Sequence, residues 1–146
     1  EIPPPVQEDD REYLVKFNET RRMVRDVDPI YGTDGEWYVD GTGLFGQDHD
    51  ETVVSSEHPP STQPGLWCQW VPNKTGDYYQ WDGNEKFYNY VEWIKYLVEN
   101  YFKPRGYKLN GRVSWIGEDR EDMGRIDIMD NEIVVYRATG IQYEAE

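Results

Sequence analysis

The chain has 146 residues, a formal net charge of −14 and an aromatic fraction of 15%. That length fits one domain with a sizeable core, and the aromatic content excludes a wholly disordered chain, because disordered segments are poor in aromatic residues. The negative charge disfavours direct binding to nucleic acid or to anionic membranes and favours basic partners. The single cysteine, Cys68, excludes an intrachain disulfide, and no apolar run approaches the roughly 20 residues of a membrane span.

The acidic residues are concentrated in the first half of the chain. Residues 1–64 hold 15 acidic and 5 basic side chains, whereas residues 65–146 hold 14 acidic and 10 basic ones. The extreme stretch runs from Asp26 to Glu57 and contains nine carboxylates but no lysine or arginine. The basic cluster just upstream is interpreted as part of the solvated face of a helix, and it consists of Arg21, Arg22 and Arg25.

The first 64 residues predict an arm, a helix and an acidic region rich in loops. Residues 1–7 contain three consecutive prolines and are expected to be extended and exposed. Residues 8–28 are predicted to be helical, ending before Pro29 because proline disfavours a helical conformation in the residue that precedes it. Within 29–64 we expect one short strand around Trp37 between glycine turns, followed by a long polar loop.

Residues 65–138 predict a regular β-β-α-β-β-β core. Alternating apolar residues from Leu66 to Val71 and a turn before Tyr78 predict a β-hairpin. The strongest helical periodicity runs from Glu85 to Phe102, and Asp82 with Glu85 resembles a capping box. Three further strands are expected at 107–116, 125–129 and 132–138, with Asp130-Asn131 as a tight turn between the last two.

These elements predict an α+β fold. Strands joined by short turns are antiparallel, and one helix packed on a curled antiparallel sheet is the simplest way to bury both apolar faces. We therefore expect an extended arm over 1–7 and a single acidic domain over 8–146.

The second half of the chain contains several short motifs rich in aromatic residues and glycine. They are Gly65-Leu66-Trp67-Cys68-Gln69-Trp70, Glu85-Lys86-Phe87-Tyr88, Glu92-Trp93, Leu109-Asn110-Gly111 and Trp115-Ile116-Gly117-Glu118-Asp119. Together they resemble a pattern in small uncharacterised proteins of phages and bacterial prophages. The resemblance covers about residues 64–136, implies a phage origin and a cytoplasmic setting in an infected bacterium, and implies no activity.

Three constellations could carry chemistry, and each has a simpler interpretation. Residues 117–124 offer four carboxylates between glycines but lack the EF-hand spacing, so we interpret them as a solvated loop rather than a Ca²⁺ site. His49 and His58 lie among carboxylates in a flexible, proline-rich setting, which favours loop polarity over a Zn²⁺ site. Cys68 alternates with apolar neighbours and is predicted to be a buried core residue rather than a nucleophile. We therefore expect no catalytic residue, bound metal or cofactor.

A set of tryptophan and tyrosine residues lies between positions 67 and 96. One small core cannot hold all of them, so most are expected to pack inside while two or three line a groove or a partner-binding patch. The set comprises Trp67, Trp70, Tyr78, Tyr79, Trp81, Tyr88, Trp93 and Tyr96.

Together, the patterns favour a non-enzymatic, phage-encoded binding protein that captures or inhibits a basic or nucleic-acid-binding host protein. Carboxylates spread over a surface can imitate the phosphate array of DNA. The alternatives are a phage particle component, tied to neighbouring subunits by the arm and first helix, and a domain that binds a small molecule or a cation. The predicted partner-binding residues form two patches: Trp37, Asp40, Asp48, Asp50 and Glu51, and then Glu118, Asp119, Glu121 and Asp122.

Overall fold

A computed structural model describes residues 1–39, 51–84, 87–116, 123–138 and 145 of the chain. Within these residues there are two α-helices, α1 at Glu8–Glu19 and α2 at Tyr90–Leu97. The strands of the first part are β1 at Val24–Arg25, β2 at Val53–Ser55, β3 at Trp70–Pro72 and β4 at Tyr79–Trp81. Those of the second part are β5 at Gly111–Ile116, β6 at Met123–Met129 and β7 at Glu132–Arg137.

The strands pair antiparallel, which confirms the α+β class predicted from the sequence. Among the described residues they form three hydrogen-bonded sheets: β1 with β2, β3 with β4, and β5-β6-β7 in that order. The predicted hairpin is thus β3–β4, and the predicted turn between the last two strands holds both Asp130 and Asn131 at positive φ, 47° and 70°. Asparagine and aspartate tolerate this left-handed conformation better than other non-glycine residues.

The core is organised around α2 and its continuation. Buried apolar residues recur along this segment at intervals that match the helical period, and they are Val91, Trp93, Ile94, Leu97, Val98, Tyr101 and Phe102. They share one cluster with Leu14 and Phe17 of α1, Trp70 of β3 and Ile126 of β6. Each such side chain stabilises the fold by roughly 1.5–3 kcal/mol relative to an exposed position.

The helix predicted over 85–102 begins later than its periodicity indicates. Asn89 precedes it with a left-handed φ of 59°, and α2 starts at Tyr90. The segment Val98–Phe102 continues it as a π-helical turn, followed by a 3-10 turn at Lys103–Arg105, where Pro104 cannot donate the backbone bond of a regular helix. Glu85, the second half of the predicted capping box, lies outside the described residues.

The helix predicted over 8–28 is too long. α1 ends at Glu19, where the hydroxyl of Thr20 donates to the Lys16 carbonyl at 2.8 Å. The chain then extends: the Arg22 N–H donates to the Leu66 carbonyl at 2.7 Å. It next forms β1, whose partner β2 lies inside the stretch that the sequence predicted to be loop. Tertiary hydrogen bonds override the local helical pattern here.

The arm over 1–7 is exposed at five of its seven residues, as predicted, but Ile2 and Val6 are buried. Ile2 and Val6 are 1% and 6% exposed, and their N–H groups donate to the carbonyls of Asp77 and Gly76 at 2.7 and 2.9 Å. Gly76 has a φ of 73°, and a Cβ there would lie 2.8 Å from Val6 Cγ2. The β3–β4 turn therefore receives the arm because glycine allows the close approach.

The strand predicted around Trp37 is also absent from the described residues 1–39. Two 3-10 turns stand there instead, at Pro29–Tyr31 and Thr33–Gly35. The Trp37 N–H donates to the Tyr31 carbonyl at 2.8 Å, so the chain folds back on itself rather than pairing with a strand.

Candidate partner-binding surfaces

Arg22 lies just upstream of the acidic region and is only 2% exposed. Its guanidinium donates to three backbone carbonyls, those of Thr20 at 3.0 Å, Glu36 at 2.9 Å and Tyr38 at 2.7 Å. It also lies 4.2 Å from the centre of the Phe17 ring. Burial lowers the pKa of Arg22 to about 10, so the side chain is still cationic at neutral pH.

The two other members of the basic cluster also face protein groups. Arg25 is 5% exposed, donates to the Thr52 hydroxyl at 3.0 Å and lies 4.3 Å from the centre of the Tyr38 ring. Arg21 is half-buried and donates to the Ser56 carbonyl at 3.1 Å. The prediction that this cluster forms part of a solvated helix face is therefore wrong, because the chain is extended here and turns its arginines inward.

All but one of the described carboxylates between Asp26 and Glu57 are exposed. We name as the acidic surface these five exposed residues, Asp26, Asp28, Asp34, Glu51 and Glu57. The Asp26 N–H donates to the Thr52 carbonyl at 2.8 Å, which brings Asp26 beside the residue that follows Glu51. No salt bridge between described residues involves any of the five. This surface can therefore present its negative charge to a partner.

Glu36 differs from these five because its side chain is half-buried and hydrogen-bonded to other parts of the protein. Its carboxylate accepts hydrogen bonds from the Tyr96 hydroxyl at 2.7 Å and from the Thr62 hydroxyl. Burial, and then the bond to Glu36, raise the pKa of Tyr96. This carboxylate joins Glu36 to Thr62, which lies between β2 and β3, and to Tyr96 of α2, and it has a structural role.

Of the predicted partner-binding residues, the structure describes Trp37 and Glu51. Glu51 is exposed and belongs to the acidic surface, whereas Trp37 is half-buried. The Trp37 ring stacks on Tyr96 with centroids 5.6 Å apart and contacts Phe17 at 5.8 Å, so much of it is used in packing. The other predicted residues lie outside the described part of the chain: Asp40, Asp48, Asp50, Glu118, Asp119, Glu121 and Asp122.

The structure confirms that most of the predicted aromatic set is buried or half-buried and that three members are exposed. Trp70 and Trp93 are buried at 4% and 0% exposure, whereas three members of the set are exposed: Tyr78, Trp81 and Tyr88. The exposed Trp81 lies at one wall of a second feature, a cleft of about 410 Å³ that we name the aromatic cleft. Its lining consists of Trp70, Trp81, Phe87, Tyr90, Val113, Ser114, Trp115 and Ile116.

Sequence reasoning missed the aromatic cleft as a site. Its lining comes from β3, β4, the start of α2 and β5, which are separated by tens of residues along the chain. The one sequence signal was the excess of tryptophan and tyrosine over what a small core can hold. That signal could not indicate which rings converge.

Cys68 is fully buried, and burial raises the pKa of its thiol to about 12, which confirms the predicted core role. Among the described residues, no group of three or more His, Cys, Asp or Glu side chains could hold a metal ion. His58 is exposed and bonds the Ser55 hydroxyl at 3.1 Å, while His49 and residues 117–122 lie outside the described ranges. None of the described helices is both long enough and apolar enough to cross a bilayer.

No protein-family model, no curated protein and no solved structure matches the chain. Its functional interpretation depends on the geometry and charge of its own residues.

Proposed function

We propose that this chain is a non-enzymatic binding protein that captures a basic partner through the acidic surface. One observation carries the proposal: Arg22 and Arg25 are buried, while the five carboxylates of the adjoining acidic surface are exposed and form no salt bridge with described residues. A surface whose guanidinium groups are buried and whose carboxylates are exposed favours association with a positively charged protein.

The net charge of −14 supports the same partner class, because a field of that size repels nucleic acid and attracts basic proteins over several ångströms. A protein that binds nucleic acid carries the basic face that this surface would complement. We extend the proposal to a phage origin, which the resemblance of residues 64–136 implies, and to a host nucleic-acid-binding or defence protein as the partner.

The alternative of a particle component loses its main support. That interpretation needed an arm and a first helix free to join neighbouring subunits. Instead, Ile2 and Val6 are buried in this chain's own core, and α1 contributes Leu14 and Phe17 to the same cluster.

The test is a capture experiment from bacterial extract with two matched variants. The first neutralises the acidic surface as Asp26→Asn, Asp28→Asn, Asp34→Asn, Glu51→Gln and Glu57→Gln. The second removes the same charge from exposed carboxylates elsewhere, as Asp9→Asn, Glu92→Gln, Glu99→Gln, Asp130→Asn and Glu132→Gln. Asparagine at position 28 keeps the side-chain oxygen that accepts from the Ile30 N–H.

We expect the unmodified protein to retain a stoichiometric basic partner at low salt and to release it at high salt, because exposed charges are screened. The acidic-surface variant should bind that partner about 10-fold more weakly or worse, while the control variant keeps it. Equal retention by both variants, or a partner with no basic face, would contradict the proposal.

A further inference from the structure

A second cavity, of about 250 Å³, is lined by the β3–β4 hairpin, by α2 and by β5 and β6. We name it the core cavity. Its floor consists of apolar side chains that are buried or half-buried and that come from distant parts of the chain. They are Trp70, Ile94, Leu109, Val113, Ile126 and Ile128.

This floor favours an apolar occupant over water. A buried water molecule needs two to four polar partners, and about as many are found around such waters in other proteins. The polar side-chain group on the floor is the Trp70 indole N–H, which already donates to the Tyr90 carbonyl at 3.0 Å. An apolar compound that fills the space gains the dispersion contacts that the lining lacks on that side.

The volume and the walls of the core cavity select the size and shape of the occupant. An engineered cavity of about 150 Å³ in another protein holds one benzene ring, whereas drug-sized ligands occupy pockets of about 300–1,000 Å³. The core cavity lies between these sizes, which suits two fused rings. Trp70 and Tyr79 contribute an aromatic wall, with ring centroids 6.5 Å apart. The cross-strand partners Val113 and Ile126 contribute an aliphatic one, so a planar bicyclic ring system can pack against both.

The rim of the core cavity selects the polar end of the occupant. Asn110 and Arg112 line it beside the exposed Tyr78. Asn110 Oδ1 already accepts from the Asp130 N–H at 2.9 Å, and Arg112 Nε and Nη2 donate to Asp127 at 2.8 and 3.3 Å. The groups that make no further hydrogen bond to a described residue are Asn110 Nδ2 and Arg112 Nη1. Both are donors, so the occupant needs an acceptor at this end.

The charges around the rim favour an acceptor without a charge of its own. The guanidinium of Arg112 is matched by the Asp127 carboxylate at 2.8 Å, and the exposed Glu1 lies on the same rim. The net charge of −14 also repels anions. A cationic group would meet the guanidinium of Arg112.

We propose that the core cavity binds a small, uncharged, bicyclic aromatic compound that carries one hydrogen-bond acceptor, such as a carbonyl oxygen, at the end facing the rim. The floor and walls supply affinity by burying the rings, and the donors of Asn110 and Arg112 supply specificity. This site does not depend on the acidic surface or on a protein partner.

Three naphthalene compounds of nearly the same shape test the chemistry of the occupant by equilibrium dialysis. In 2-acetylnaphthalene the side group carries a carbonyl acceptor, in 2-ethylnaphthalene it carries none, and in 2-naphthoate it is an anion. Transfer from water alone would favour the ethyl compound. Binding of the acetyl compound at least as tightly as the ethyl compound therefore reports recognition by the rim.

Two pairs of variants test the place of binding. Val113→Phe and Ile128→Phe enlarge half-buried side chains of the lining, and Val134→Phe makes a matched change outside the cavity, at a 49% exposed position on β7. Asn110→Asp keeps the oxygen that accepts from the Asp130 N–H but removes the amide donor. Asn84→Asp makes the same charge change at an exposed position outside the cavity.

We expect 2-acetylnaphthalene to bind with a dissociation constant of about 100 µM or below and 2-naphthoate to bind at least about 10-fold more weakly. Each filling variant should weaken binding of the acetyl compound by about 10-fold or more, because the space is occupied. Asn110→Asp should weaken it about fivefold and leave the ethyl compound unaffected, since one hydrogen bond is lost. Val134→Phe and Asn84→Asp should bind as the unmodified protein does.

Methyl NMR of the unmodified protein locates the site even where a filling variant does not fold. The methyl signals of Ile126 and Ile128 should shift when 2-acetylnaphthalene binds, whereas that of Ile116 in the aromatic cleft should not. Shifts at Ile116 alone, tighter binding of the ethyl compound or the anion, unchanged affinity in a folded filling variant, or no binding at about 1 mM protein would each overturn the inference.

Discussion

The region around β1 and β2 and the sheet of β5, β6 and β7 are ordered by different interactions. In the first, the strands are two and three residues long, and the guanidinium of Arg22 joins three separate carbonyls. In the second, continuous antiparallel ladders pair strands of six and seven residues. The comparison shows that a segment with few apolar residues can be ordered by a few side chains that donate to its backbone, among which Arg22 makes three such bonds and Tyr13 and Gln63 one each.

The largest expected effect on stability comes from a substitution in the first region, at Arg22. Arg22→Ala should lower the free energy of unfolding by about 3–4 kcal/mol, because three carbonyls lose the hydrogen bonds from the guanidinium and a cavity forms beside Phe17. The Glu36 carbonyl keeps its second donor, the Gln63 side chain. Urea denaturation measures this change. Arg21→Ala is the control, since Arg21 is half-buried and donates to one carbonyl, and it should lower the free energy by about 1 kcal/mol or less. Similar values for the two variants would show that Arg22 does not order the region.

In the second region, steric crowding at Gly124 of β6 should destabilise the sheet. A Cβ on Gly124 would lie 2.5 Å from two ring atoms of Trp115 and would also meet the Tyr136 carbonyl oxygen. Gly124→Ala should therefore destabilise the sheet by about 2 kcal/mol and displace Trp115, which lines the aromatic cleft. Thermal unfolding and tryptophan fluorescence measure the two effects. Ser114→Ala on the neighbouring strand is the control and should change stability by less than about 0.5 kcal/mol; if Gly124→Ala were equally neutral, Trp115 would not be held over this glycine.

The smallest expected effect is on the pH dependence of stability, through Tyr13 in the first region. The Tyr13 hydroxyl donates to the Trp37 carbonyl at 2.5 Å and so ties α1 to the acidic region. Burial raises the pKa of Tyr13 to about 12, above its ordinary value near 10. The unfolded chain therefore loses this proton first, and the stabilisation present below pH 10 is lost as the pH rises from 10 toward 12.

Tyr13→Phe should remove this contribution, which reaches at most about 1.4 kcal/mol per pH unit. The melting temperature measured between pH 9 and pH 11.5 should therefore fall less steeply in the variant. Tyr136→Phe, at a 46% exposed position, is the control and should keep the slope of the unmodified protein. A Tyr13→Phe variant with that same slope would show that this tyrosine does not titrate on unfolding.

Prediction from the sequence succeeded where the pattern was local and regular. Alternation identified the β3–β4 hairpin, and the Asp130-Asn131 pair identified the β6–β7 turn, because period-two patterning and turn chemistry act over a few residues. It failed where distant groups decided the conformation. The helix over 8–28 was predicted too long because Arg22 and Arg25 look like surface residues in the sequence. Their hydrogen-bond acceptors, the carbonyls of Glu36 and Tyr38 and the hydroxyl of Thr52, come from distant parts of the chain.

The sequence by itself determined the α+β class, the buried Cys68 and the expectation that some aromatic rings must be exposed, because these follow from composition and short-range periodicity. Only the tertiary structure decided that Ile2 and Val6 of the arm are buried, that the arginines just before the acidic region face inward, and that Trp81 and β5 line one cleft. The physical reason is that each of these depends on contacts between segments far apart in the chain, where hydrogen bonds and close packing outweigh local preference.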